Sequence, residues 1–186
     1  MPDSIWTVSN LLTILRVLLV IPIAYLLLLG DPFSRMLAVL LIAAATATDF
    51  LDGLIARKLH QVTEFGKILD PVADKIAVGV VAWILTQQGK LPVWFLVTVL
   101  LRDGVIFFAG VYLRRARGIV LQSNQAGKWA VTAIAALILL SVLDPQGTEW
   151  LHILLLTTST VLLAISSLLY LRRFLAVRSG SEAGLS

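Results

Sequence analysis

Residues 49–74 read DFLDGLIARKLHQVTEFGKILDPVAD and contain four aspartates, Asp49, Asp52, Asp70 and Asp74, between segments that are largely apolar. On a helix, Asp49 and Asp52 share a face because they are three residues apart, and Asp70 and Asp74 do so because they are four apart. Two helices that meet here would bring four carboxylates together. Like charges at such distances cannot all stay ionised in a low dielectric, so we predict that cations occupy the cluster.

The composition of the 186-residue chain is that of a membrane protein. Hydrophobic residues make up 59% and charged residues 14%, whereas about a quarter of the residues in soluble domains are charged. The length allows one domain, which we place at residues 1–178, with residues 179–186 as a disordered tail. Cysteine is absent, which excludes disulfides and thiolate metal sites. No basic run is long enough to indicate nucleic acid, so the expected partners are membrane lipids.

Apolar runs bounded by turn signals predict an all-α integral membrane fold with six transmembrane helices. Pro71 leaves two alternatives for the third helix: it begins before Gly66 and kinks, or Asp70 caps a shorter helix. The longer helix is favoured, since a helix that begins at Pro71 would barely cross a core of about 30 Å. A start one turn earlier is an alternative for the fifth helix. The predicted ranges are 11–29, 34–56, 65–86, 92–113, 129–143 and 150–170.

The distribution of basic residues predicts the orientation in the membrane. Six spans place both termini on one side, and cytoplasmic loops carry the excess of lysine and arginine. The loops on the side of the termini contain Arg57, Lys58, Arg114, Arg115 and Arg117, and the C-terminal segment adds three arginines, whereas the opposite loops contain Arg35 and Lys90. We therefore expect both termini and the acidic stretch to face the cytoplasm, in a bacterial cytoplasmic (inner) membrane.

The four aspartates predict a site for hard cations. Carboxylate oxygens without cysteine or a nearby histidine pair favour Mg²⁺ or Mn²⁺ over Zn²⁺. Four carboxylates can hold two divalent ions about 3.5–4 Å apart, an arrangement used for in-line displacement at phosphorus. Arg57 offers a guanidinium fork that matches phosphate oxygens, and Gly53 allows a ligand to approach the helix backbone. Together these residues indicate a lipid-linked diphosphate as substrate.

The pattern Asp-x-x-Asp-Gly-x-x-Ala-Arg, eight residues, Gly-x-x-x-Asp-x-x-x-Asp resembles the signature of the CDP-alcohol phosphatidyltransferases, and all eight fixed positions are present. The six-span layout and the segment from Asn10 to Arg16 extend the resemblance over most of the chain. Members of this family transfer a phosphatidyl group from CDP-diacylglycerol to an alcohol and release CMP. The resemblance implies a metal-dependent enzyme that holds two divalent cations, Mg²⁺ or Mn²⁺, and forms a homodimer.

The resemblance also implies a role for each matching residue. Asp49, Asp52, Asp70 and Asp74 would bind the metals, and Asp74 would also act as the general base that takes the proton of the acceptor hydroxyl. The residues that would hold the cytidine diphosphate part of the donor are Gly53, Ala56, Arg57 and Thr63.

The acceptor is less determined by the sequence. Glycerol-3-phosphate, the acceptor of phosphatidylglycerophosphate synthases, is expected first, and its phosphate requires cationic contacts. Candidates for those contacts are Arg102, Lys128, Arg16 and Arg114. The Leu-Arg-Asp-Gly run at residues 101–104 is also similar to cardiolipin synthases of the same family, whose acceptor is phosphatidylglycerol.

Simpler interpretations exist for several of these residues. A basic residue near the end of a span, such as Arg16 or Lys128, is more often a snorkelling anchor than a ligand. Arg102 and Asp103 can equally form only a structural ion pair inside their span. His60 and His152 have no partner that the sequence identifies, so neither is given a role.

Two other functions use intramembrane aspartates. An intramembrane prenyltransferase also binds magnesium and a diphosphate through aspartates, but it does not require the Gly-x-x-Ala-Arg segment. A cation transporter lines its pathway with carboxylates, yet the four aspartates here all lie at one predicted end of the spans.

Overall fold

A computed structural model of the chain describes residues 8–58, 66–117 and 125–178. Within these ranges, the side chains of residues 8–13, 49–58, 66–71, 114, 116–117 and 178 lie outside the description. The described ranges contain six α-helices and no β-strand. The helices are α1 (Val8–Leu29), α2 (Pro32–Lys58), α3 (Gly66–Gln87), α4 (Val93–Arg117), α5 (Gln125–Leu143) and α6 (Glu149–Arg178).

The helix boundaries confirm the all-helical prediction and decide the two alternatives. Because α3 begins at Gly66, Asp70 and Pro71 lie inside one helix, and Asp70 does not cap a shorter one. Pro71 is the sixth residue of α3, where a proline removes one backbone hydrogen bond of the helix, and the predicted kink stays a prediction. The fifth helix begins at Gln125, one turn ahead of Trp129, which agrees with the earlier start.

Two helices continue beyond their predicted ends. The fourth was expected to end at residue 113 and the sixth at residue 170, but α4 reaches Arg117 and α6 reaches Arg178. The predicted ends followed the end of the apolar run, whereas arginine is a good helix former and a cation is favourable at a helix C-terminus. The basic segments after both spans are therefore helical.

Three of the described helices are long and apolar enough to cross a membrane: Val93–Leu113, Gln125–Leu143 and Glu149–Val177. Two shorter apolar segments, Ile14–Leu29 and Pro32–Thr48, lie in α1 and α2. Large apolar side chains point outward along these helices, for example Ile21, Leu28 and Phe108. Such a surface is expected of a protein surrounded by lipid. The predicted number of six spans and the side of the termini stay predictions.

The first three helices form a compact unit, residues 1–91, in which α1 packs against both α2 and α3. The buried positions of α1 are Arg16, Val20, Ile23 and Leu27, which recur every three or four residues and so form one face. A hydrogen bond from the Gln88 side chain to the Leu27 carbonyl, 2.8 Å, joins the C-terminal ends of α1 and α3. Arg16 contacts α3 near its beginning, so the two helices run parallel.

Three residues form the turn between α1 and α2, and the backbone conformation or hydrogen bonding at each position favours the residue found there. Gly30 takes a positive φ of 73°, which glycine adopts without strain and which ends α1. Pro32 is the first residue of α2, where its missing N–H is not needed. Asp31 caps the helix, since its Oδ1 accepts the Ser34 N–H at 3.0 Å. The turn thereby fixes where α2 begins.

The last three helices form a second compact unit, residues 92–186, in which α6 packs against α5 and α4. Arg102 contacts Ser166, and the Tyr170 hydroxyl donates to the Ile106 carbonyl at 3.2 Å. Both pairs are separated by 64 residues, so α4 and α6 run parallel. The prediction of a single domain over residues 1–178 stays a prediction, and the predicted tail at 179–186 lies outside the described residues.

Candidate active site

The four aspartates occupy two helices. Asp49 and Asp52 lie in the C-terminal half of α2, and Asp70 and Asp74 lie in the N-terminal half of α3. Because both pairs are helical, each has the spacing that places its members on one face. Asp74 is the one whose side chain the structure describes, while those of the other three lie outside the description. The predicted meeting of all four carboxylates therefore stays a prediction.

Asp74 is held by a cation from another helix. Its Oδ1 lies 2.6 Å from Nη1 of Arg16, which donates a charge-assisted hydrogen bond. The Arg16 side chain is 9% exposed, whereas the Asp74 side chain is 51% exposed. The pair therefore consists of a guanidinium packed among helices and a carboxylate that a ligand can reach.

The position of Arg16 follows from the pattern of α1. Arg16 continues the buried face that Val20 and Ile23 form further along the helix, so the side chain points toward the neighbouring helices. A snorkelling arginine would reach toward the headgroups instead. On α3, Ala73 precedes Asp74 and is almost completely buried, and its small side chain permits a close helix–helix approach. The ion pair joins α1 to α3 at Asp74.

The residues predicted to hold the donor lie at the end of α2 and just beyond it. Gly53, Ala56 and Arg57 belong to the last turns of the helix, and their side chains are outside the description. Thr63 lies outside the described residues. Their predicted roles in binding the cytidine diphosphate group are untested.

Among the acceptor candidates, Arg102 has the best-defined surroundings. Its Nη1 donates to Asp103 Oδ1 at 2.8 Å, and its Nη2 donates to Ser166 Oγ at 2.7 Å. The side chain is 15% exposed, and its Nε is buried without a hydrogen-bond partner among the described residues. The predicted Arg102–Asp103 ion pair is therefore present, and it faces α6 while Leu101 beside it is exposed.

The other two candidates lie on different helices. Lys128 is exposed in the first turn of α5. Arg114 lies in the last turn of α4, and its side chain is outside the description. An exposed lysine is a cation that an incoming phosphate can reach, whereas the charge of Arg102 is already balanced by Asp103.

The donor set is suited to the predicted metals. A carboxylate such as Asp74, half exposed and beside a guanidinium, offers the hard oxygen ligands that Mg²⁺ and Mn²⁺ prefer. The side chains that the structure describes contain no group of three metal-ligating residues, and those of Asp49, Asp52 and Asp70 are not among them. The described carboxylate of Asp74 is thus of the type that such cations bind, and the site for two divalent cations stays a prediction.

Sequence reasoning missed the partners of two polar residues. Ser166 lies on the buried face of α6 and accepts a hydrogen bond from Arg102. The sequence analysis identified no partner for His152, but its Nε2 lies 3.1 Å from Ser141 Oγ. Because Ser141 already donates to the Leu137 carbonyl, its oxygen accepts from the histidine. The sequence did contain a signal that Ser166 faces the protein interior. Ser159 and Ser166 lie seven residues apart, which places them on one face of an apolar helix, and both are buried in the structure.

Comparison with known proteins now places the chain in a class. Residues 6–177 match the family model described as CDP-alcohol phosphatidyltransferase. The chain therefore belongs to that family, and the resemblance drawn from the aspartate pattern is confirmed.

Individual relatives carry more specific names. A Bacillus subtilis (strain 168) protein named CDP-diacylglycerol--glycerol-3-phosphate 3-phosphatidyltransferase is 38% identical over 113 residues, which are 58% of this chain and 58% of that protein. A Pseudomonas fluorescens protein of the same name is 35% identical over 148 residues, 77% of this chain and 76% of that protein. A Drosophila melanogaster protein named "Probable cardiolipin synthase (CMP-forming)" is 40% identical over 113 residues, 60% of this chain and 34% of that protein. The chain thus spans 58% of the length of the Bacillus relative and 34% of the Drosophila relative.

Proposed function

We propose that the protein transfers the phosphatidyl group of CDP-diacylglycerol to the hydroxyl of glycerol-3-phosphate and releases CMP. The observation that carries the proposal is the reachable carboxylate of Asp74, which ends the aspartate pattern and is oriented by Arg16 at 2.6 Å. Membership of the CDP-alcohol phosphatidyltransferase family supports the reaction class. The names of the Bacillus and Pseudomonas relatives support the acceptor.

In the proposed reaction, Asp74 accepts the proton of the acceptor hydroxyl. The hydroxyl oxygen forms a bond to the phosphorus of the phosphatidyl group, and the bond from that phosphorus to the oxygen of the CMP phosphate breaks. CMP leaves with the electron pair of the broken bond. Two divalent cations, held by Asp49, Asp52, Asp70 and Asp74, would supply neutralisation of the diphosphate charge when bound.

The donor would lie beside the last turns of α2. Gly53 and Ala56 have small side chains, which allow the diphosphate to approach the helix backbone, and Arg57 would add a fork for phosphate oxygens. Thr63 would contribute a hydroxyl. These roles rest on the matching positions of the family pattern.

For the acceptor phosphate, Lys128 is the preferred contact because it is exposed. Arg114, three residues before the C-terminal end of α4, would assist it. Arg102 is a weaker candidate, since Asp103 at 2.8 Å neutralises its charge. The Lys128→Gln variant should raise the KM for glycerol-3-phosphate and leave kcat unchanged, which is the pattern for lost uniform binding.

A second acceptor is favoured by a specific observation. The Drosophila relative is named a cardiolipin synthase, and the Arg102-Asp103 pair offers little net charge to an acceptor phosphate. Phosphatidylglycerol, with one phosphate already in its lipid headgroup, is therefore the alternative acceptor.

The proposed setting is a bacterial inner membrane crossed by six spans, with the active site and both termini in the cytoplasm. The arginine-rich ends of α4 and α6 support this orientation through the excess of basic residues on the cytoplasmic side. We also propose that residues 1–178 act as one domain and that two copies of the chain associate as a homodimer.

The experiment that tests the function supplies labelled CDP-diacylglycerol to the purified protein with one acceptor at a time. The acceptors are glycerol-3-phosphate, phosphatidylglycerol, inositol phosphate and serine, and the lipid product is identified by mass spectrometry. Glycerol-3-phosphate should give phosphatidylglycerophosphate and CMP. Cardiolipin from the second acceptor would establish the alternative. Turnover of a polyprenyl diphosphate, or cation flux in vesicles, without CMP release would contradict the reaction class.

A further inference from the structure

Arg16 has a different role from the acceptor contact that the sequence suggested. Its guanidinium reaches Asp74 on another helix, at an Nη1–Oδ1 distance of 2.6 Å. An arginine that bound the acceptor phosphate would have to present the same group to a second anion. From the geometry we infer that Arg16 is a positioning residue, which orients the Asp74 carboxylate for proton transfer from the acceptor. This inference rests on the proposed function.

The first step of the argument is the rigidity of Arg16. The side chain is 9% exposed, and it lies on the same face of α1 as the buried Val20, Ile23 and Leu27. A long side chain in water loses rotamer freedom when it forms an ion pair, which makes exposed pairs weak. Packing among helices has already restricted Arg16, so its guanidinium offers Asp74 a fixed donor.

The second step is the asymmetry of the pair. Asp74 is 51% exposed, so the carboxylate is open to a substrate on one side while the arginine contacts it from the protein interior. Arg16 donates to Oδ1 of Asp74, and an ionised carboxylate has about four lone-pair sites in all. The same carboxylate can therefore be oriented by Arg16 and still accept a proton from the acceptor hydroxyl.

The third step concerns the scaffold that sets this distance. α1 and α3 are parallel and are joined at their other ends by the Gln88–Leu27 hydrogen bond of 2.8 Å. Ala73, which precedes Asp74 in the chain, is almost completely buried, and its small side chain permits close packing of α3 in this unit. A site that is built on packed helices holds its groups more precisely than a site on loops.

Precise orientation matters because proton transfer requires the base to lie within hydrogen-bond reach of the hydroxyl. A misplacement of about 1 Å can cost about 10²-fold in rate. Arg16 does not contact the acceptor in this scheme, so its loss should lower kcat and leave the KM values for both substrates near those of the wild type. If Arg16 instead bound the acceptor, its substitution would raise the KM for the acceptor and leave kcat unchanged.

The test compares Arg16→Gln, Arg16→Lys and the control Arg35→Gln in the full chain, using CMP release from CDP-diacylglycerol with the acceptor that the wild type uses. Arg35 lies in the first turn of α2 and has no place in the proposed site. We expect kcat to fall about 10²-fold in Arg16→Gln, with unchanged KM values and an unchanged midpoint of thermal unfolding. Arg16→Lys, which keeps the charge but not the planar fork, should recover part of kcat, and Arg35→Gln should match the wild type.

Each outcome decides the inference. Wild-type kcat in Arg16→Gln, or a raised acceptor KM with unchanged kcat, would overturn it while leaving the proposed function intact. If Arg16→Gln does not fold, the test rests on Arg16→Lys. A wild-type kcat in Arg16→Lys would show that the guanidinium fork is not required to orient Asp74. No CMP from the wild type with any acceptor would overturn the proposed function itself, and the inference with it.

Discussion

The described residues include two arginine–aspartate pairs inside apolar helices, and the pairs differ in which charged group is accessible. Arg16 and Asp74 come from α1 and α3, 58 residues apart, and the aspartate is half exposed. Arg102 and Asp103 are neighbours in α4, and both are largely covered, at 15% and 30% exposure. The first pair presents a carboxylate to a ligand, whereas the second neutralises itself and is joined to α6 through Ser166. The exposure of the aspartate is therefore the property by which we propose to distinguish a catalytic pair from a structural one.

The largest expected effect separates the two aspartates. Asp74→Asn removes the proposed base, which contributes about 10²–10⁴-fold in general base catalysis. We expect CMP release to be lost while the protein remains folded, with a lower thermal stability because the buried Arg16 loses its partner. Asp103→Asn should retain CMP release while the protein remains folded. CMP release and the unfolding midpoint are measured for both variants. Normal turnover by Asp74→Asn would remove the distinction between the two pairs.

Removal of divalent cations should affect the proposed metal site around Asp74 and leave the Arg102–Asp103 pair unchanged. We expect EDTA to abolish CMP release, and Mg²⁺ or Mn²⁺ to restore it, because four aspartates in the family pattern are proposed to hold two hard cations. The Arg102–Asp103 pair needs no cation, so the packing of α4 on α6 should persist. Activity and circular dichroism in the same samples test this. Full activity in EDTA would contradict the proposed metal site.

The second pair should matter for stability. Removal of one partner from a buried ion pair costs about 3–5 kcal/mol because it leaves a buried charge without compensation. We expect Asp103→Asn to approach the lower end of that range, since Asp103 is partly exposed. Ser166→Ala removes a single hydrogen bond to a charged group, which is worth about 1.5–3 kcal/mol. Denaturant unfolding in mild detergent gives both values, and no change in either variant would show that the pair does not stabilise the unit.

The contrast between the pairs also shows what the sequence could predict. The apolar runs predicted the six helices with boundaries that agree within four residues, except at the C-terminal end of α6, which lies at residue 178 and not at 170. The aspartate spacing identified the family. For Arg102 and Asp103, the sequence left a structural ion pair and an acceptor contact as alternatives. The Arg16–Asp74 contact was not predicted. It depends on which face of α1 meets α3, and a run that is apolar on all sides does not specify that face.

Helix ends were the other point at which the sequence was insufficient. Hydropathy marks where a span leaves the membrane, but α4 and α6 continue for several residues through basic segments. Cap geometry gives sharper boundaries: Gly30, Asp31 and Pro32 together end α1 and begin α2.

The smallest effect is expected for Asp31, the acidic residue in that turn. Asp31 caps the N-terminal end of α2, whereas the aspartates of the proposed site on this helix lie in its C-terminal half. The Ser34 hydroxyl, and then the Ser34 N–H, lower the pKa of the Asp31 carboxyl below its usual value of 3.8. A lowered pKa in the folded state means that the ionised cap stabilises the protein above pH 3.8, and that this contribution is lost as the pH falls further. Asp31→Asn keeps a good N-cap without a titrating group, so its unfolding midpoint should vary less than that of the wild type between pH 5 and pH 3. Asp31→Ala should lower the midpoint at neutral pH, and CMP release should be unchanged in both variants. Parallel acid dependence in Asp31→Asn and the wild type would show that the Asp31 charge does not contribute.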